Sequence, residues 1–181
     1  NEVKAVALDG FRIAVVKRPL AAKTGDFRVT VPARSLNEIS KLLDDSNDVV
    51  RVYVTKNYIM LELDDTKITS RLLDGDFINY EQIIPSNFST VVTINKAQLE
   101  DALDRAALLS RIDRNNLVKF EITDKVMLLT SKSDIGDIRE NITIALNGND
   151  LNISFNARYF TEALRVINDE FLKLSFTSSV S

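Results

Sequence analysis

Apolar and polar positions along this chain change rhythm on a regular schedule. A short run alternating with period two passes directly into a longer run with apolar residues three and four apart. Val29-Thr30-Val31-Pro32 leads into Ala33-Arg34-Ser35-Leu36-Asn37-Glu38-Ile39-Ser40-Lys41-Leu42-Leu43. Val92-Thr93-Ile94-Asn95 leads into Lys96-Ala97-Gln98-Leu99-Glu100-Asp101-Ala102-Leu103. Ile153-Ser154-Phe155-Asn156 leads into Ala157-Arg158-Tyr159-Phe160-Thr161-Glu162-Ala163-Leu164. Each switch from period two to period 3.6 predicts a strand running into an amphipathic helix. The copies recur about every 60 residues, longer than a solenoid unit and suited to half a domain. Duplicated half-domains usually build a symmetric object, and that constrains function more than any single residue does.

The alternation extends the prediction along the whole chain. Residues 3–16 read as a hairpin around a two-residue Asp9-Gly10 turn, which sets Leu8 opposite Phe11 and Val6 opposite Ile13 on one apolar face. A loop covers 19–25. The first full unit has a strand at 28–31 and a helix with Leu36, Ile39, Leu42 and Leu43 on its apolar face. Pro32 suits the junction between them. Strands follow at 50–54, 59–63 and 67–73. The second unit repeats the order. Its strand is 91–94, its helix buries Leu99, Leu103, Ala106 and Leu109, and strands follow at 117–122, 126–130 and 139–146. The third has a strand at 151–155, a helix with Phe160, Ala163, Leu164 and Ile167, and one return strand at 171–176. The repeating unit is β-α-β-β-β. The opening hairpin matches the last two strands of such a unit, and the third copy lacks them. The expectation is therefore two incomplete domains, 1–85 and 86–181, joined near Pro85-Ser86-Asn87, in a chain cut from a longer one. Its opening on Asn1 rather than Met agrees with that.

Composition narrows the chemistry. Hydrophobic residues make up 45% and charged residues 27%, as in ordinary globular domains. No apolar run reaches the length of a membrane-spanning helix. The chain has no Cys, His or Trp. That removes disulfides, thiolate nucleophiles, Cys- or His-based metal sites and the commonest general base. The net charge of −3 argues against DNA binding by bulk positive charge, but a local basic stripe needs no net excess. Asp44-Asp45, Asp64-Asp65 and the pair Asp134 and Asp137 are the candidate acid–base or metal groups. Their places at a helix end and between strands fit turn chemistry instead. No calcium loop, phosphate loop or nucleophile elbow is present. An enzyme reading therefore reduces to a duplicated α+β fold with an Asp/Glu-based site, and it predicts carboxylates clustered in a deep cleft.

Three motifs carry a family resemblance over essentially the whole chain. Asp74-Gly75-Asp76-Phe77-Ile78-Asn79-Tyr80-Glu81-Gln82-Ile83-Ile84-Pro85 resembles the signature closing the middle domain of the bacterial sliding clamps, the β subunits of DNA polymerase III. Leu8-Asp9-Gly10-Phe11-Arg12-Ile13-Ala14-Val15 resembles a second signature and Val29-Thr30-Val31-Pro32 a third, in the family's order and spacing. The resemblance implies an α+β DNA clamp fold. Repeated β-α-β-β-β units place helices on the inside of a ring around duplex DNA and antiparallel sheets on the outside. The chain would then hold most of the middle domain and most of the last, without the first domain, the final strands or the tail. The family's role is that of a bacterial, cytoplasmic processivity factor. It is not itself catalytic and needs no cofactor.

The resemblance also assigns residues. Arg34 and Lys41 lie seven residues apart on one helical stripe, as do Arg158 and Arg165 at the same repeat positions. Read alone, they are a solvated face mixed with Glu38 and Glu162. In a clamp they face the phosphate backbone. The second helix departs from this, with Ala97 and Asp104 at those positions and Arg105 one place on. Leu8, Gly10, Phe11, Arg12, Ile13, Ile78, Gln82 and Ile83 correspond to an apolar pocket for a short Gln/Leu/Phe peptide. The DNA polymerase III catalytic subunit, the clamp loader and repair polymerases present such peptides. Leu8, Ile78 and Gln82 stand where the family more often has Thr, Pro and Arg, which shifts peptide preference. Leu108 and Leu109 match a subunit interface of the homodimer ring, although core packing is the plainer reading for at least one. Without the first domain, this length of chain is expected not to close a ring.

Overall fold

The computed structural model describes residues 1–21, 25–43, 49–110 and 116–179. Asp44 and Asp45 and part of the 19–25 loop lie outside them. The chain divides into two compact units, Asn1–Ile83 and Ile84–Ser181.

In the first unit β1 (Glu2–Leu8) and β2 (Ile13–Pro19) form an antiparallel hairpin. The turn sits one residue later than the Asp-Gly dipeptide suggests. The Asp9 N–H donates to the Arg12 carbonyl at 3.2 Å, so Gly10 and Phe11 are the two central residues. Gly10 has φ +86° and Phe11 a negative φ, the pattern of a turn with glycine first. Asp9 causes the shift: its Oδ1 accepts the N–H groups of Phe11 and Arg12 at 3.1 and 3.0 Å. Leu8 therefore pairs with Ile13 and Val6 with Val15, two residues from the expected register. A two-residue slip keeps every side chain on its face. Phe11 moves out to the tip, where it is 80% exposed.

Helix α1 (Ala33–Ser40) starts directly after Pro32, followed by the antiparallel meander β3 (Arg51–Val54), β4 (Tyr58–Leu63) and β5 (Thr66–Arg71). The strand expected at 28–31 is reduced to one bridge, Thr30 to Leu73. Pro32 has no N–H to extend the ladder, and β5 stops at Arg71. A single 3₁₀ turn, Tyr80–Gln82, closes the unit. Its described buried apolar residues are Ile39, Ile59, Leu72 and Tyr80. The other expected apolar positions of the first helix stay open: Leu36, Leu42 and Leu43 are exposed, the last two beyond its end.

The second unit completes what the first only begins. Strands β6 (Thr90–Asn95), β7 (Leu117–Thr123), β8 (Val126–Ser133), β9 (Gly136–Gly148), β10 (Leu151–Asn156) and β11 (Phe171–Phe176) form one antiparallel sheet in the order β10-β7-β8-β9-β6-β11. Helices α2 (Lys96–Ser110) and α3 (Ala157–Leu164) pack against each other and the sheet. Alternation selects the covered face: Val118, Phe120 and Ile122 in β7, Met127 and Leu129 in β8, and Ile142 and Ile144 in β9 are all buried. Leu99, Leu103 and Ala106 cover them from α2. Phe120, Phe155 and Phe160 meet with ring centroids 5.1 to 5.4 Å apart. In α3 the inward face keeps Phe160, Leu164 and Ile167 against the core as expected, and differs in taking Ala157 and Thr161 in place of Ala163. Ala157, Thr161 and Leu164 are buried, Phe160 is half-buried and Ala163 is exposed. The Thr161 hydroxyl donates to the Ala157 carbonyl at 3.0 Å, so its polar group is satisfied within the helix.

Candidate nucleic-acid and peptide interfaces

The hairpin and the 3₁₀ turn carry the candidate peptide residues, and both belong to the first unit. Lys4, Val6 and Leu8 share one face of β1 by strand alternation, opposite Lys17, Val15 and Ile13. That face turns toward the 77–83 segment, because Lys4 Nζ meets Glu81 Oε1 at 3.2 Å and lies 5.9 Å from the centre of the Tyr80 ring. The Tyr80 hydroxyl donates to the same Glu81 oxygen at 3.3 Å. Tyr80 and Glu81 raise the Lys4 pKa, and Lys4 in turn holds the Glu81 carboxyl below its usual range. Leu8 and Ile13 are thus opposite partners on the face that meets this segment. Leu8, Phe11, Ile78 and Ile83 are large apolar side chains left exposed, and Gln82 is exposed beside them. Arg12 is held back on its own turn: Nε and Nη2 reach Asp9 Oδ2 at 2.9 and 2.6 Å. That contact, followed by the Phe11 N–H, depresses the Asp9 pKa. Lys4, Asp9, Tyr80 and Glu81 escape a reading of the motifs alone. The available signal was the alternation that puts Lys4 on the face of Leu8.

The candidate DNA-facing cations Arg34, Lys41, Arg105, Arg158 and Arg165 are all exposed. Arg34 is the second residue of α1 and Arg158 the second of α3; Lys41 caps the end of α1 as Arg165 caps the end of α3. The starts of the helices correspond as well. Asn156 Oδ1 accepts the Arg158 N–H at 3.0 Å, Asn95 Oδ1 accepts the Gln98 N–H at 3.1 Å, and Pro32 takes that place before α1. Lys41 Nζ pairs with Glu38 at 2.8 Å, and Arg158 Nε with Glu162 at 2.7 Å. Arg34 and Arg165 hold no ion pair among the described residues. Arg105 forks onto Glu140 of β9, with Nε at 2.6 Å and Nη2 at 3.2 Å. That carboxylate raises the Arg105 pKa. The pairing is 35 residues long in sequence, and no local pattern announces it.

Leu108 is 65% exposed near the end of α2 while Leu109 is half-buried, so one of the two is free for contact with another molecule. Two clefts are described, both in the second unit. One, of about 370 Å³, is lined by Ala107, Asn116, Arg158, Thr161, Glu162 and Arg165. The other, of about 290 Å³, lies beside Arg105 and Glu140. Among the described residues no group of three or more His, Cys, Asp or Glu is placed to hold a metal ion. Asp64, one of the carboxylates weighed for chemistry, takes φ +46° in the turn between β4 and β5. No described helix is long and apolar enough to cross a membrane.

Comparison with known proteins follows the same division. The family model described as DNA polymerase III beta subunit, central domain, matches residues 1–79, and the one for the C-terminal domain matches 81–181. The beta sliding clamp of Streptococcus pneumoniae is 35% identical over 182 residues, covering 99% of this chain and 48% of the relative. That of Bacillus subtilis is 32% identical over 184 residues, covering 99% and 49%. The crystal structure of a DNA polymerase III beta subunit from Eubacterium rectale superimposes with a TM-score of 0.95 at 36% identity, covering 99% of this chain and 49% of that one. The Bacillus subtilis sliding clamp gives 0.94 at 33%, covering 98% and 48%. The chain spans about half the length of the relatives it matches. With its whole described length matched in sequence and in α+β clamp architecture, this chain belongs to the DNA polymerase III beta subunit family.

Proposed function

We propose that the chain supplies two domains of a DNA sliding clamp, a non-catalytic tether that holds a polymerase near its primer end. The observation that carries the reading is the repeated Arg–Glu–cation set, Arg34, Glu38 and Lys41 on α1 and Arg158, Glu162 and Arg165 on α3, in a member of this family. Together with Arg105 these cations face duplex DNA. Contacts with phosphate alone carry no sequence information. Such contacts suit a protein that must move along DNA. Retention then comes from encirclement by a homodimer ring, with Leu108 and Leu109 at the subunit contact. A tethered polymerase rebinds at high effective concentration.

The exposed Leu8, Gly10, Phe11, Ile78 and Ile83 with the half-buried Ile13, flanked by Arg12 and Gln82, receive the partners. They are the polymerase III catalytic subunit, the clamp loader and repair polymerases, each through a short Gln/Leu/Phe segment. The work is done in the bacterial cytoplasm and requires no cofactor. Residues 1–85 act as the middle domain and 86–181 as the last.

Fluorescence anisotropy with labelled duplexes of two unrelated sequences tests the DNA-facing surface. The expected binding is weak, equal for both duplexes and lost with salt. Arg34→Ala combined with Arg165→Ala should flatten the log–log salt slope by about 2, near 0.9 for each phosphate contact removed. Sequence-selective binding, or a slope the double variant leaves unchanged, would refute it.

A further inference from the structure

Helices α1 and α3 each carry their own counterion. Glu38 and Glu162 occupy the same repeat position, yet they select different cations. Glu38 takes Lys41 on its C-terminal side at 2.8 Å, and Glu162 takes Arg158 on its N-terminal side at 2.7 Å. Helices α1 and α3 each therefore present one paired cation and one, Arg34 or Arg165, with no ion pair among the described residues. In α2, where Lys96 pairs with Glu100 at 3.5 Å, the counterion of Arg105 comes from the sheet. Glu140 lies on the same side of β9 as Ile142 and Ile144, which are buried under the helices, and it forks with Arg105.

We infer that Glu38, Glu140 and Glu162 are resident competitors of DNA phosphate. Each occupies a cation that a backbone phosphate would otherwise take, so contact at Lys41, Arg105 or Arg158 requires exchange of one anion for another. The inference rests on the DNA-facing reading of these helices and adds the residues that weaken the contact. Two effects act in the same direction. The cation must leave a carboxylate before it meets a phosphate, and an exposed pair of this kind shifts an equilibrium by about 1.5- to 5-fold. The released carboxylate then stands beside the phosphate, where like charges repel, and it gathers a cation from solution. Exchange thus returns little net salt to the solvent, whereas an unpaired cation releases the full counterion share. Arg34 and Arg165 supply firm contacts under this scheme, and the other three supply yielding ones. A surface that must bind everywhere and hold nowhere gains from that division.

The test compares the full chain with its Glu38→Gln/Glu140→Gln/Glu162→Gln variant, using a fluorescein-labelled duplex at salt between about 50 and 200 mM. Glutamine keeps the side-chain shape and removes the charge. Expected are binding roughly tenfold tighter at the low end and a salt slope steeper by up to about 2.7, which is 0.9 for each cation released. Glu121→Gln is the control. It breaks the Lys119 pair at 2.7 Å on the opposite sheet face, since Val118, Phe120 and Ile122 point to the core, and it should leave both readings unchanged. The Glu38→Gln/Glu162→Gln double variant avoids the partly buried Glu140 and should show about two-thirds of the change in slope. Unchanged affinity and slope in both variants would overturn the inference, as would an equal per-site gain from Glu121→Gln. If Arg34→Ala/Arg165→Ala weakens binding while the Gln variants do nothing, only this inference fails. If neither set matters, the DNA-facing reading fails with it.

Discussion

Both carboxylate oxygens of Asp9 are engaged, Oδ1 by two backbone N–H groups and Oδ2 by the Arg12 guanidinium. One residue thus fixes the turn, presents Phe11 at its tip and restrains Arg12. Its depressed pKa gives a pH dependence of definite sign. The stabilisation is fully present above the unfolded aspartate value, about 3.9, and is lost as pH falls through the lower folded value. A carboxyl NMR titration should give Asp9 a midpoint below that of an unfolded aspartate, and Arg12→Ala should move it back up. Gly10 and Gly148 separate two kinds of glycine requirement. At Gly10, φ is +86° and a Cβ meets open space, so Gly10→Ala should cost about 1–2 kcal/mol from backbone strain alone. At Gly148, φ is +106° and a Cβ would stand 2.2 Å from the Ser89 carbonyl oxygen, which already accepts the Asn149 N–H. Gly148→Ala should therefore cost more, about 2–4 kcal/mol by chemical denaturation. At this scale the sequence identified the hairpin and most of its apolar face. It misplaced the turn because Asp-Gly reads as a turn centre, and only the Asp9 hydrogen bonds show that Asp9 precedes it.

Helices α1 and α2 have the same kind of periodicity and opposite fates. Leu103 in α2 is fully buried between sheet and α3, whereas Leu36 in α1 is 47% exposed. Leu103→Ala should destabilise the second unit by about 2–5 kcal/mol, and Leu36→Ala should cost under about 1 kcal/mol. Urea titration of each variant checks the contrast. Periodicity predicts which face of a helix is apolar, and here it placed Leu99, Leu103 and Ala106 correctly. It cannot say what covers that face, because the cover is another element distant in sequence. The same reason explains the strand at 28–31, whose alternation is real but whose partner ends at Arg71. Arg105 is the corresponding case in the candidate site. Its position on α2 was legible, and its Glu140 partner on β9 was not. Lys4 and Glu81 are a further pair of this sort, and their ion pair should fade as pH falls through the depressed Glu81 value.

Across the whole chain the two units differ in how much apolar surface they cover. The second buries a continuous core across six strands and two helices, while the first buries Ile39, Ile59, Leu72 and Tyr80 among its described residues. Unfolding in urea should therefore proceed in two steps, the first unit before the second, with hydrogen exchange protection lasting longest in β7, β8 and β9. A single transition with uniform protection would contradict this ranking. The repeat that organises the chain was legible from its polar and apolar rhythm, as was the assignment of cations to equivalent helical positions. Their pairing with carboxylates needed side-chain geometry. The proposed tether depends on a second surface as well, the exposed apolar set around the hairpin and the 3₁₀ turn. Titration of a fluorescent Gln/Leu/Phe peptide into the chain and its Ile83→Asp variant tests that claim most directly. The account predicts saturable binding that Ile83→Asp abolishes while circular dichroism stays unchanged. Absence of saturable binding, or binding that Ile83→Asp leaves intact, would contradict it.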